Sequence, residues 1–174
     1  FLAMAHGVSA NEIVGYYSWN WGSGSQGPAD ATVGVAFTGL INVQDAINGY
    51  APGASWCCPE LRGEPMLSLG GGNAGGLFTV DALSEITKDM NLIVDSNYTG
   101  IVFDVEETIG SSSDLIPAFN DAFQAAQDHK LTVVVTTSHS APYATDTPQD
   151  SVDLVKSWVS NPNIDVISPQ LYAS

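Results

Sequence analysis

The sequence predicts an α/β fold built on a parallel sheet. Apolar strand-like runs and helical patterns alternate along the 174 residues, the order expected of successive β/α units. Each run is rich in Val, Ile, Leu or aromatics, and most are flanked by Gly, Pro, Asn or Ser, the composition of short buried strands between turns. Small, polar and aromatic residues gather just past several strand ends, at Trp19–Trp21, Gly70–Gly76, Asp104–Glu107, Ser138–Tyr143 and Gln170–Tyr172. That edge is where parallel β/α proteins build their sites. Six alternations leave two arrangements open, a doubly wound open sheet or a closed barrel, and a full eight-stranded barrel takes roughly 250 residues.

Taken in order, the strand-like runs are Glu12–Trp19, Thr32–Leu40, Pro65–Leu69, Gly100–Glu106, Leu131–Thr137 and Asp165–Leu171. Helical patterns occupy Val43–Asn48, Thr79–Ser96, Asp114–His129 and Gln149–Val159. The third of these is the clearest: Leu115, Phe119, Ala122, Phe123 and Ala126 recur at three- and four-residue spacing on one face. Asp114 is the expected cap among serines at its start, and His129-Lys130 place positive charge at its end. No charge run or low-complexity linker divides the sequence, so residues 1–174 are expected to form a single domain. Hydrophobic residues make up 44%, enough to fill its core.

Nineteen Asp and Glu against four Lys and Arg give a formal charge of −15 and a pI near 4.1. Such a surface repels nucleic acid and anionic membranes, so neither is an expected partner, whereas a neutral or cationic ligand is readily accepted. No apolar run approaches the ~20 residues that span a bilayer. The opening Phe-Leu-Ala-Met-Ala-His-Gly reads as the scar of a removed leader or pro-segment. Cys57 and Cys58 form neither a disulfide framework nor a zinc motif; they are reduced or joined as a vicinal bridge. Asn97-Tyr98-Thr99 is a glycosylation sequon. Acidity, few lysines and many Ser, Thr and Gly point to a secreted protein.

The most informative stretch is Thr99–Glu107, Thr-Gly-Ile-Val-Phe-Asp-Val-Glu-Glu. Asp104 and Glu106 interrupt a buried apolar strand and, by alternation, share a face about 7 Å apart along the backbone. Two carboxylates side by side in an apolar setting resist joint ionisation, so one is expected to hold its proton for acid–base work, and Glu106 is the expected holder. The bland alternative is a structural Asp beside a solvated Glu. Gly70–Gly75 formally matches the dinucleotide fingerprint G-x-G-x-x-G, but any glycine run does, and it follows the third strand instead of the first. Ser138-His139-Ser140 lacks the G-x-S-x-G elbow of a nucleophilic serine. Tyr16, Tyr17, Trp19 and Trp21 are core aromatics or, beyond the first strand, platforms on which a sugar ring stacks.

Together these motifs resemble the family 18 glycoside hydrolases, the chitinases and endo-β-N-acetylglucosaminidases. Ser68-Leu69-Gly70-Gly71 is similar to the S-x-G-G of that family's third strand. Thr99–Glu106 aligns with D-G-x-D-x-D-x-E of the fourth, and Gln170-Leu171-Tyr172 with the Q-x-Y that ends the sixth in hevamine-like members. The resemblance implies a TIM-type (β/α) barrel, incomplete, with about six of eight β/α units present. It also implies hydrolysis of β-1,4-linked N-acetylglucosamine by retaining, substrate-assisted catalysis without metal or organic cofactor. On that pattern Glu106 is the acid, Asp104 orients the substrate acetamido group, and Tyr172 hydrogen-bonds its oxygen. Gln170, Ser68, Gly70, Gly71, Trp19 and Trp21 frame the sugar. Thr99 and Val102 replace two motif aspartates, and strands seven and eight are missing with their floor tryptophan. A partner chain or dimer is therefore expected over the open barrel edge. A non-hydrolytic carbohydrate-binding protein on the same scaffold is the alternative.

Overall fold

The computed structural model describes residues 13–21, 26–52, 57–137, 142 and 144–171. Six strands, β1 (Gly15–Trp19), β2 (Val33–Phe37), β3 (Glu64–Gly70), β4 (Gly100–Val105), β5 (Thr132–Thr137) and β6 (Val166–Pro169), form one sheet in sequential order. Every pairing is parallel. With no reversal of strand order, the doubly wound arrangement drops out. The sheet curls into a half-barrel with β1 and β6 at its edges. Five helices, α1 (Val43–Gly49), α2 (Val80–Lys88), α3 (Met90–Asp95), α4 (Ser112–Asp128) and α5 (Pro148–Val159), accompany the strands.

Strand alternation divides the apolar residues between two faces. Leu67, Leu69, Ile101, Phe103, Val133 and Val135 pack outward against helix residues such as Leu83, Ile86, Phe119, Phe123 and Trp158, all essentially solvent-free. The aromatic members meet edge-on: Phe103 and Phe123 have ring centroids 5.0 Å apart at 89°, and Phe119 and Trp158 lie 5.3 Å apart at 74°. Each such side chain contributes ~1.5–3 kcal/mol of burial, so this outer layer dominates the core. Val35, Met66, Val102 and Val134, with Tyr17, Val33 and Val166 against them, face the concave side. They line an open trough of about 850 Å³.

Two helical segments depart from the sequence expectation by more than a shifted end residue. Thr79–Ser96 breaks at Asp89, whose amide donates to both Glu85 and Ile86 carbonyls; the tightened turn leaves Met90 and Ile93 buried on α3. Helix α4 starts at Ser112, so Asp114 sits in its first turn instead of capping it. The cap comes from another helix. Asp150 Oδ1 accepts from the Ser112 amide at 2.7 Å, while Asp150 Oδ2 accepts from the amide and hydroxyl of Thr147. One carboxylate thus joins the starts of α4 and α5, and these hydrogen bonds hold its pKa down at about 2. Cys57 and Cys58 are joined as a vicinal disulfide. Among the described residues no helix is long and apolar enough to cross a membrane.

Candidate active site

Strand β4 is buried at all six positions, and its inner face carries Val102, then Asp104, with Glu106 just past the strand end. Asp104 is 2% exposed; Glu106 is half-buried at the rim. Short bridges hold the chain beyond Glu106 on both sides, Phe78 with Thr108 and Glu107 with Ala144, so the acidic side chain rises from a fixed backbone. Gln170 follows β6, its amide N–H donating to the Thr137 carbonyl at 3.0 Å. Its side-chain Nε2 donates to Glu106 Oε1 at 2.6 Å and to Asp104 Oδ1 at 3.3 Å. The amide therefore bridges the two carboxyl groups from the opposite side of β5.

Burial pushes the Asp104 carboxyl up to about 7, with the adjacent Glu106 charge adding to the shift and the Gln170 hydrogen bond opposing it. Below that pH the buried member holds a proton. The sequence expectation places the stored proton on Glu106; the raised pKa is that of Asp104, the deeper of the two, with desolvation as its leading cause.

The glycines of β3 act through space. Gly70 and Gly71 have φ of 97° and 123°, the left-handed side that suits glycine. A Cβ on Gly70 would lie 2.5 Å from the Asp104 carbonyl oxygen. The Gly71 amide donates to that same carbonyl at 2.9 Å, and a Cβ there would stand 3.6 Å from Asp104 Oδ2. Their absent side chains let β3 close on β4 and leave space beside the Asp104 carboxyl. Ser68 lies deeper, opposite Phe37 and Val102 in the ladder. It is fully buried, and its Oγ has no hydrogen-bond partner among the described residues, so it sits beneath the site and not on its surface.

Trp19 and Trp21 stand half exposed at the β1 end of the same rim, their centroids 5.2 Å apart and inclined at 31°. Phe37 backs Trp21 at 5.4 Å. Trp19 and Phe37 of this aromatic wall and the carboxyl pair enclose a cavity of about 330 Å³, closed on the β6 side by Ser168, Pro169 and Gln170. Its floor is a hydrogen bond across the concavity, Tyr17 Oη to Thr136 Oγ1 at 2.7 Å. Thr136 is the ladder partner of Asp104. Sequence reasoning passes over Thr136 and Phe37, which belong to no motif; counting by twos from Asp104 and from Trp19 through the register is the signal that finds them.

Tyr172 and Ser138-His139-Ser140 lie outside the described residues. The Gly70–Gly75 segment runs into a loop, and α2 begins only after the Thr79 cap, so these glycines do not open a helix as a dinucleotide site requires. Among the described residues no group of three His, Cys, Asp or Glu side chains is placed to hold a metal ion. What the arrangement can do is store and donate a proton beside an aromatic surface that fits a neutral ring. No known protein family, curated protein or solved structure matches the chain.

Proposed function

We propose that this chain is a glycoside hydrolase related to family 18, acting on β-1,4-linked N-acetylglucosamine in chitin, chito-oligosaccharides or N-glycan cores. The observation that carries the reading is the Gln170-bridged Asp104–Glu106 pair at the C-terminal edge of a curled parallel sheet, facing an aromatic wall. Glu106 protonates the glycosidic oxygen as its bond to the anomeric carbon breaks, and the acetamido carbonyl oxygen of the same sugar closes onto that carbon. Water then opens the ring with retained configuration and returns a proton to Glu106. The proton stored on Asp104 passes to Glu106 before Glu106 donates, so Asp104 accepts the acetamido N–H as an anion where positive charge develops, and it regains its proton from Glu106 once water has been split. Trp19 and Trp21 stack on sugar rings, and Tyr172 and Gln170 frame the acetamido group. The finer architecture belongs to the same reading: six of the eight units of a TIM-type barrel, the gap between β6 and β1 covered by a partner chain or a second copy. Secretion fits the acidic surface and the disulfide.

A second reading, a non-hydrolytic carbohydrate-binding protein, is favoured by Val102. The inner position beneath Asp104 is apolar and leaves the Ser68 hydroxyl without a partner among the described residues. Turnover of a soluble chito-oligosaccharide, with the product anomer followed by NMR, separates the readings. The hydrolase releases the β-anomer first, and Glu106→Gln lowers the rate ~10²–10⁴-fold while binding persists. Binding without turnover by the native chain supports the second reading, and loss of both removes the carbohydrate assignment.

A further inference from the structure

We propose that Asn97 is a modification site carrying an N-linked oligosaccharide, on the end of the molecule opposite the carboxyl pair. Asn97-Tyr98-Thr99 is the single N-x-S/T sequence in the chain. It falls in the turn between α3 and β4, with Asn97 exposed at φ 63°, a conformation asparagine tolerates better than most residues. The turn is anchored from both sides. Tyr98 is buried at 7% exposure, the Asn97 amide donates to the Val94 carbonyl at 2.9 Å, and the Thr99 hydroxyl donates to the Pro65 carbonyl at 3.1 Å. Asn97 itself projects at the rim of a groove of about 510 Å³ walled by Tyr50, Pro52, Leu61, Pro65 and Tyr98. That wall gives the first sugar an apolar surface to rest on.

An independent observation points to the same compartment. Cys57 and Cys58 are oxidised to a disulfide, which persists in the oxidising lumen through which secreted chains pass, and N-linked sugars are attached there. The donor is a lipid-pyrophosphate-linked oligosaccharide. Asn97 Nδ2 bonds to the anomeric carbon of its first sugar, the bond from that carbon to the pyrophosphate oxygen breaks, the amide loses one proton, and lipid pyrophosphate leaves. The whole of β4 separates Asn97 from Glu106, roughly 20 Å at the rise of an extended strand. A glycan at Asn97 therefore leaves the cavity between Trp19 and Gln170 open. The proposal is independent of the hydrolase reading.

The full chain, sent through the secretory route of a eukaryotic host by a host leader, is analysed by intact mass and peptide mapping. Both are repeated after peptide N-glycosidase treatment in heavy-oxygen water. The expected result is loss of an oligosaccharide mass and conversion of residue 97 to aspartate with one heavy oxygen. Asn97→Gln and Thr99→Ala abolish the modification, and Thr99→Ser retains it. A secreted native chain with unmodified Asn97 overturns the proposal, as does a glycan that survives in Asn97→Gln. Because the native peptide map alone decides occupancy, a variant that misfolds does not blur the outcome.

Discussion

Asp104 keeps its proton chiefly because burial disfavours the carboxylate, and secondarily because Glu106 is close. The folded protein therefore binds a proton from about pH 4 to about 7 that the unfolded chain has released. Stability falls as pH rises through that window and levels off above it, an effect of at most ~4 kcal/mol for a shift from 3.8 to about 7. Urea unfolding at pH 5 and pH 8 should show this loss in the native chain and much less of it in Asp104→Asn; parallel behaviour of the two would refute the assignment. Val102, 1% exposed, faces the Ser68 hydroxyl across the ladder. Val102→Asp should pair with that hydroxyl, take the proton from Asp104 and raise turnover, at a stability cost of roughly 2 kcal/mol. Unchanged turnover in a well-folded variant would sink the idea that a deeper acid helps. The carboxyl pair is legible in the sequence because alternation along one strand is local. The depth that decides which carboxyl keeps the proton is not, since β3 and β5 set it from elsewhere in the chain.

Helices α4 and α5 show how an element can depend on a residue far from it in sequence. Asp150 caps its own helix through Thr147 and also the Ser112 amide 38 positions away. Asp150→Ala exposes two helix starts at once and should lower Tm by several degrees at pH 6. The depressed pKa, about 2 against an ordinary 3.8, means this stabilisation is complete above about pH 4 and disappears as pH falls through 2. Thermal melts of both proteins should therefore converge near pH 2, and a gap that persists there would show that the cap does not depend on charge. The period of the apolar face makes α4 visible in the sequence, whereas its true start depends on a tertiary contact. The six strands are legible from composition and flanking residues to within a few positions.

Across the whole molecule, sequential parallel order follows from the β/α rhythm, but closure does not, because it depends on what meets β1 and β6. Among the described residues no strand pairs with the outer edges of β1 and β6, and open edges invite pairing; the trough between them is lined by Val33, Val35, Met66, Val134 and Val166. Light scattering coupled to size-exclusion chromatography should give a mass above the 18.2 kDa of one chain, with slow amide exchange along β1 and β6. A monomer with rapid exchange on both edges would rule out a self-made cover. The hydrogen bond between Tyr17 and Thr136 adds a matter of timing. It joins residues 119 apart, so during folding it cannot form until β5 is laid down, and until then β1 is held in the sheet through β2. Contacts of such long range are late in assembly and costly in loop entropy. Once made, the bond ties the first strand to the fifth, so peeling the N-terminal strand away costs about 1 kcal/mol more. Tyr17→Phe should remove that tie, and native-state hydrogen exchange would then find β1 opening at a free energy about 1 kcal/mol lower than in the intact chain, with β4 unchanged.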